Sequence, residues 1–144
     1  MAVNHILVAY DESEGADRAL AMAADLAALD ANLRVDVVYV VPIPLLDQRQ
    51  QEGFRDILDM MISDGESLLT DAIDKLGADV ALQFDSLLLT GASPATEILK
   101  LLQQRNNYDM VIVGNRGLSG LKEYTGSVSL KILNGAQVPV LIVK

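Results

Sequence analysis

Apolar, β-branched runs give way to helix-spaced apolar residues again and again along this chain, and that alternation restricts the fold more than anything else in the sequence. His5–Tyr10 (HILVAY) is a strand-like run, followed over Ser13–Leu29 by Ala19, Leu20, Ala23, Leu26 and Ala27 at helical spacing. Valine-rich Leu33–Val41 stops at Pro42, and PIPLLDQRQQEG then reads as a loop with two prolines. Phe54, Ile57, Leu58, Met61, Leu68, Leu69, Ala72, Ile73 and Leu76 mark a long amphipathic helix closed by Gly77, with Gly65 a weak point inside it. Val80–Leu89 is strand-like, and Ser93-Pro94 has the form of an N-cap with proline at the first helical position, ahead of Ile98, Leu99, Leu101 and Leu102. Met110–Val113 gives a fourth strand, about Lys122 to Leu133 a last helix stopped by Asn134-Gly135, and Val138–Val143 a fifth strand. Strands without a polar alternate residue must be buried on both sides. The expected fold is therefore an open five-stranded parallel α/β sheet with helices on both faces.

Size and composition fit one such unit. The 144 residues, 51% apolar and 22% charged, predict a single domain over residues 1–144 with a full core. A net charge of −9 would repel nucleic acid and anionic membranes over most of the surface, so neither is an expected partner. The longest apolar stretch, Val37–Leu46, is broken by Pro42 and Pro44 and falls well short of the roughly 20 residues that span a bilayer. The start MAVNHILVAYDE lacks the basic opening and cleavage site of a secretory signal, which places the expected location in the cytoplasm. Zero cysteines exclude disulfides and thiol chemistry.

In sheets of this class ligands bind beyond the carboxyl ends of the strands, where the strand order reverses. With the expected order 3-2-1-4-5 that crevice lies between strands 1 and 4, where Asp11 ends one strand and Gly114 the other. Residues 109–129, DMVIVGNRGLSGLKEYTGSVS, carry glycines at 114, 117, 120 and 126 between a strand and a helix. Glycines there let a backbone approach a ligand, and free N–H groups beside a helix start attract anions. The spacing is neither GxxxxGK[ST] nor a GxGxxG after the first strand, and a tight turn would use the same glycines. Charge favours an anion. Residues 115–144 hold Arg116, Lys122, Lys131 and Lys144 against Glu123 alone, whereas residues 1–114 hold seven basic and nineteen acidic side chains. Asp11 suits a sugar hydroxyl or an amine, although Asp11 or Ser13 equally suits the cap of the first helix. His5, the single histidine, lies inside the first strand and reads as a packed or edge residue, so no triad can be assembled. No strand-end aspartate besides the Asp11-Glu12 pair is available for a phospho-receiver, and Met60-Met61 read as helix packing or its margin.

The segments ILVAYDES, YVVP, GASPATEIL, YDMVIVGNRGLSGL, GSVS and the terminal VPVLIVK, in that order, resemble the landmarks of the universal stress protein family almost end to end. The resemblance implies an adenine nucleotide alpha-hydrolase-like fold, ATP binding in the nucleotide-binding branch, and dimerisation through the last strand. That branch carries Gly-x2-Gly-x9-Gly-(Ser/Thr), which Gly114, Gly117, Gly126 and Ser127 would fill, with eight residues, Leu118–Thr125, where the pattern has nine. By resemblance the backbone N–H groups of Gly117, Ser127 and Val128 and the hydroxyls of Ser127 and Ser129 would hold phosphates, with Arg116 and Lys122 nearby as charge. Ala9, Asp11 and Val40 would line the adenosine end. The implied ligand is ATP, with AMP or ADP as lesser forms, accompanied by Mg2+ or Mn2+ through the phosphates. A nucleotide-dependent regulator with at most slow hydrolysis is expected, because no P-loop lysine or distinct base is present. A dimeric interaction module that holds no nucleotide, or a true ATPase, are the competing expectations.

Overall fold

In the computed structural model, which describes residues 2–115 and 127–144, five parallel strands form one sheet in the order β3-β2-β1-β4-β5. The strands are β1 (His5–Tyr10), β2 (Arg34–Pro42), β3 (Phe84–Gly91), β4 (Met110–Gly114) and β5 (Val140–Val143). The helices are α1 (Glu14–Leu29), α2 (Gln48–Asp74), the single turn α3 (Ala78–Ala81), α4 (Pro94–Arg105) and α5 (Ser127–Gly135). Both the fold class and the strand order expected from the sequence hold.

Successive strand residues feed two cores. Ile6, Val8, Val35 and Val37 pack with Ala19 and Ala23 of α1 and with Leu69 and Ile73 of α2 on one face. Leu7, Val38, Val40, Val111 and Val113 pack with Ile98 and Leu101 of α4 and Ile132 of α5 on the other. Ile6, Leu7 and Val8 are all fully buried, which is why β1 shows no polar alternation. Burying each such side chain contributes about 1.5–3 kcal/mol.

The helix starts follow their sequence signals. Ser13 caps α1, its side chain accepting from Ala16 N, and Ser93 caps α4 with Pro94 at the first position. Helix α2 begins at Gln48, well ahead of the expected Phe54, so half of the segment read as a loop is helical. The reason is a capping box: Asp47 accepts from Gln50 N at 2.7 Å and Gln50 Oε1 accepts from Asp47 N at 3.1 Å. Gly65 is no weak point, because a Cβ there would lie 2.7 Å from Leu88 Cδ1 and its absence lets α2 settle on β2 and β3. The third strand starts at Phe84 instead of Val80, since the chain turns at Gly77 (φ 103°) into α3 first. The fifth starts at Val140 instead of Val138. Pro139 has no N–H for a ladder, but its carbonyl still accepts from Val111 N at 2.9 Å. The part of the expected last helix before Ser127 lies outside the described residues.

Candidate functional site

Parallel strands joined by crossover helices bring the ends of β1, β2 and β4 and the first turns of α1, α4 and α5 to one edge of the sheet. A crevice opens there, lined by Ala9, Tyr10, Asp11, Ser13, Ala16, Val38, Val40, Pro94, Ile98, Val113, Gly114, Val128 and Ser129. It lies where the strand order reverses, between β1 and β4. Six of the sequence-predicted positions, Ala9, Asp11, Val40, Gly114, Val128 and Ser129, thus converge in one place. Arg116, Gly117 and Gly126 lie outside the described residues, as does the side chain of Ser127, whose backbone opens α5.

The inner wall is apolar and its rim is polar. Ala9, Val38, Val40, Ile98 and Val113 present an apolar surface to the crevice. Asp11 Oδ1 accepts from both the N–H and the hydroxyl of Ser13, whose oxygen accepts in turn from Ala16 N. Ser13 is therefore the helix cap and Asp11 its support. Glu12 adopts φ 69°, a left-handed conformation uncommon outside glycine, and its carboxylate accepts from the Tyr39 hydroxyl at 3.4 Å. No lysine or arginine lines the slot among the described residues. The first turn of α5, which carries Val128 and Ser129, supplies N–H groups and the positive end of a helix dipole instead.

Gly114 has a packing role that the sequence did not suggest. A Cβ on it would fall within the backbone of Gly15, and a Cβ on Gly15 would lie 2.9 Å from the Asn115 carbonyl oxygen. The start of α1 thus touches the end of β4 backbone to backbone. Arg18 Nη2 donates to that same Asn115 carbonyl at 3.2 Å, securing the chain just after the glycine. Sequence reading also passed over Val38, Val113, Pro94 and Ile98; the rule that every helix after a strand starts at the ligand edge would have found the last two.

His5 sits at the opposite edge. Its Nε2 lies 3.0 Å from Asp36 Oδ2, which also accepts from the Tyr108 hydroxyl at 2.6 Å and from Arg105 at 3.5 Å, while its ring lies 4.4 Å from that of Tyr108. This is the packed histidine expected. Burial, then the hydrogen bond to Asp36, pushes the Tyr108 hydroxyl well above its usual range, and burial followed by Asp17 does the same to Tyr10. A tyrosine held protonated by the fold stabilises the protein fully below pH ~10, where the unfolded group titrates; that contribution is lost as pH rises towards the folded value. Stability should thus fall above pH ~10 by up to about 1.4 kcal/mol per pH unit for each of these two tyrosines. Urea unfolding in alkaline buffers measures it, and Tyr108→Phe should make the fall shallower. A profile unchanged by that substitution would refute the assignment.

Against known proteins, the model of the universal stress protein family matches residues 2–144. A universal stress protein of Thermus aquaticus is 34% identical, covering 96% of this chain and 97% of that one. The universal stress protein YxiE of Bacillus subtilis is 30% identical, covering 98% and 99%. Among solved structures, the universal stress protein UspA from Lactobacillus plantarum superimposes with a TM-score of 0.82 at 17% identity, covering 100% of this chain and 99% of that one. The universal stress protein from Archaeoglobus fulgidus in complex with dAMP aligns at 25% identity and a TM-score of 0.59, covering 100% of both chains.

Proposed function

The chain belongs to the universal stress protein family, and on that footing we propose that it binds an adenine nucleotide, ATP with a divalent cation foremost, and acts as a nucleotide-dependent regulator. The observation that carries the reading is the crevice in which Ala9, Asp11, Val40, Gly114, Val128 and Ser129 converge. An apolar slot with a carboxylate at its rim suits a purine and a ribose hydroxyl, and the N-terminus of α5 suits phosphate. The dAMP complex of the Archaeoglobus fulgidus relative supports the same ligand class. Gly117, Gly126, Ser127 and Arg116 complete the proposed phosphate end. No group of three or more carboxylate or imidazole side chains able to hold a metal occurs among the described residues, so Mg2+ or Mn2+ would be held through phosphate oxygens. Among the described residues Asp11 is the sole carboxylate in the lining, and it already accepts two hydrogen bonds from Ser13. It is poorly placed to activate water, and hydrolysis is expected to be slow.

Titration calorimetry with ATP, ADP and AMP in Mg2+ tests this reading. ATP is expected to bind more tightly than AMP, because the polyphosphate adds contacts at the α5 end, and at ~100 times its dissociation constant it should stabilise the fold by about 2.7 kcal/mol. Absence of heat and of any melting shift at millimolar ATP would leave an interaction module without nucleotide. The same reading includes a homodimer through β5, an apolar edge strand whose four residues are all only partly covered. Light scattering resolves it as twice the chain mass, and a monomer at micromolar concentration would rule it out.

A further inference from the structure

The start of α1 and the end of β4 both line the crevice, the former through Ser13 and Ala16 and the latter through Gly114. How the two elements are held against each other therefore shapes the site. Their backbones meet where Gly15 lies against Gly114 and Asn115, but van der Waals contact alone has no preferred direction. A hydrogen bond has one, and Arg18 supplies it. Arg18 stands three residues after Gly15, on the same face of α1. Its Nη2 donates to the Asn115 carbonyl at 3.2 Å, one residue beyond Gly114. The Asn115 N–H donates in turn to the Val143 carbonyl at the end of β5, at 2.9 Å.

This arginine forgoes easier partners. Glu14 stands four residues before it, at the spacing and in the order that favour an ion pair on a helix. Among the described residues, however, Arg18 takes part in no ion pair. Its Nε is buried and has no hydrogen-bond partner. An N–H in that position has lost its water and gained no acceptor in return, whereas a surface arginine ordinarily lays its stem on the protein and turns its charged end outward. The guanidinium nevertheless stays against the end of β4. A buried donor left unsatisfied calls for a reason beyond packing, and the reason at hand is the crevice wall that the same guanidinium secures.

We propose that Arg18 is a positioning residue of the nucleotide site. It does not line the crevice; it holds Asn115, and with it Gly114, in the place relative to Ser13 and Ala16 that a bound nucleotide requires. Groups one layer behind a site govern affinity in this way, because the atoms that touch a ligand are only as well placed as those that support them. The assignment rests on the nucleotide reading above.

Three variants test it. Arg18→Met keeps the reach of the side chain and removes its donors and its charge, while Arg18→Lys keeps one donor and the charge. Leu20→Val thins the core beneath the same helix and controls for lost stability alone. In the ligand-free protein, hydrogen exchange at the Asn115 amide is expected to quicken at least about tenfold in Arg18→Met, with that of Ile112 in the same strand unchanged. Titration calorimetry should show ATP binding weakened at least about tenfold in Arg18→Met. Arg18→Lys should recover most of both losses, and Leu20→Val should keep the ATP affinity of the parent. ATP bound as tightly by Arg18→Met as by the parent overturns the proposal, as does an Asn115 amide that exchanges no faster, or a Leu20→Val that loses as much affinity as Arg18→Met. A parent chain that binds no ATP is a separate failure: it removes the nucleotide reading itself, and the role of Arg18 goes with it.

Discussion

Gly114→Ala is expected to destabilise the fold by about 3 kcal/mol or more, near the top of what overpacking costs. The added Cβ would fall inside the carbonyl carbon and oxygen of Gly15 and lie 2.8 Å from Ala16 N. These are backbone atoms, so no rotamer change relieves the clash. Relief requires the first turn of α1 to lift away from β4, which pulls Ala16 and Ala19 out of the core they share with Ile6, Val8 and Ile112. Gly15→Ala is a graded companion, since its Cβ would meet the Asn115 carbonyl oxygen at 2.9 Å and a shift of some tenths of an ångström suffices. Its cost should be smaller. Guanidinium unfolding of both variants checks the order, and a loss below about 1 kcal/mol for Gly114→Ala would show that the α1–β4 approach is looser than this geometry.

That contact also shows where the sequence stops being informative. The parallel sheet covered on both faces was legible because continuous apolar runs such as HILVAY can satisfy both faces only inside such a sheet, and the order 3-2-1-4-5 was expected for that class. The crevice followed from the order, and Asp11 and Gly114 follow from strand ends, whereas Ala9 and Val40 were reached only through the family resemblance. Whether Gly114 is glycine for a ligand or for a neighbouring backbone was not legible, because the answer depends on Gly15, 99 positions away in sequence and adjacent only after folding. The start of α2 was misread for the opposite reason. Pro42 and Pro44 suggested a loop, while the local signal that sets the boundary, Asp47 three residues ahead of Gln50, was present in the sequence and outweighed by the prolines. Asp36 in the middle of a valine-rich strand carried no local hint of a partner. Its burial is tolerable because Tyr108, His5 and Arg105 all reach it from other elements, and such pairing is settled by tertiary structure.

Ala9→Leu is expected to abolish nucleotide binding while leaving the fold almost intact. Ala9 pairs with Val38 across β1 and β2 and lines the slot with Val40 and Val113. Ala9 is partly buried against the core of Leu7, Val38 and Val40 and also lines the crevice, so the extra carbons of leucine are expected to extend into the crevice. Stability should change by less than about 1 kcal/mol, because the costs of overpacking arise where a core is already full. The space they occupy is the one assigned to the adenosine. Both ATP and AMP should therefore weaken by at least about a hundredfold, about 2.7 kcal/mol. Arg116→Ala, at the proposed phosphate end, should behave differently, weakening ATP while sparing AMP, because the proposal assigns its charge to the polyphosphate. Titration calorimetry of the two variants against both nucleotides separates the ends of the site. If Ala9→Leu left AMP affinity unchanged, the base would have to lie elsewhere, and the crevice between β1 and β4 would lose its assignment.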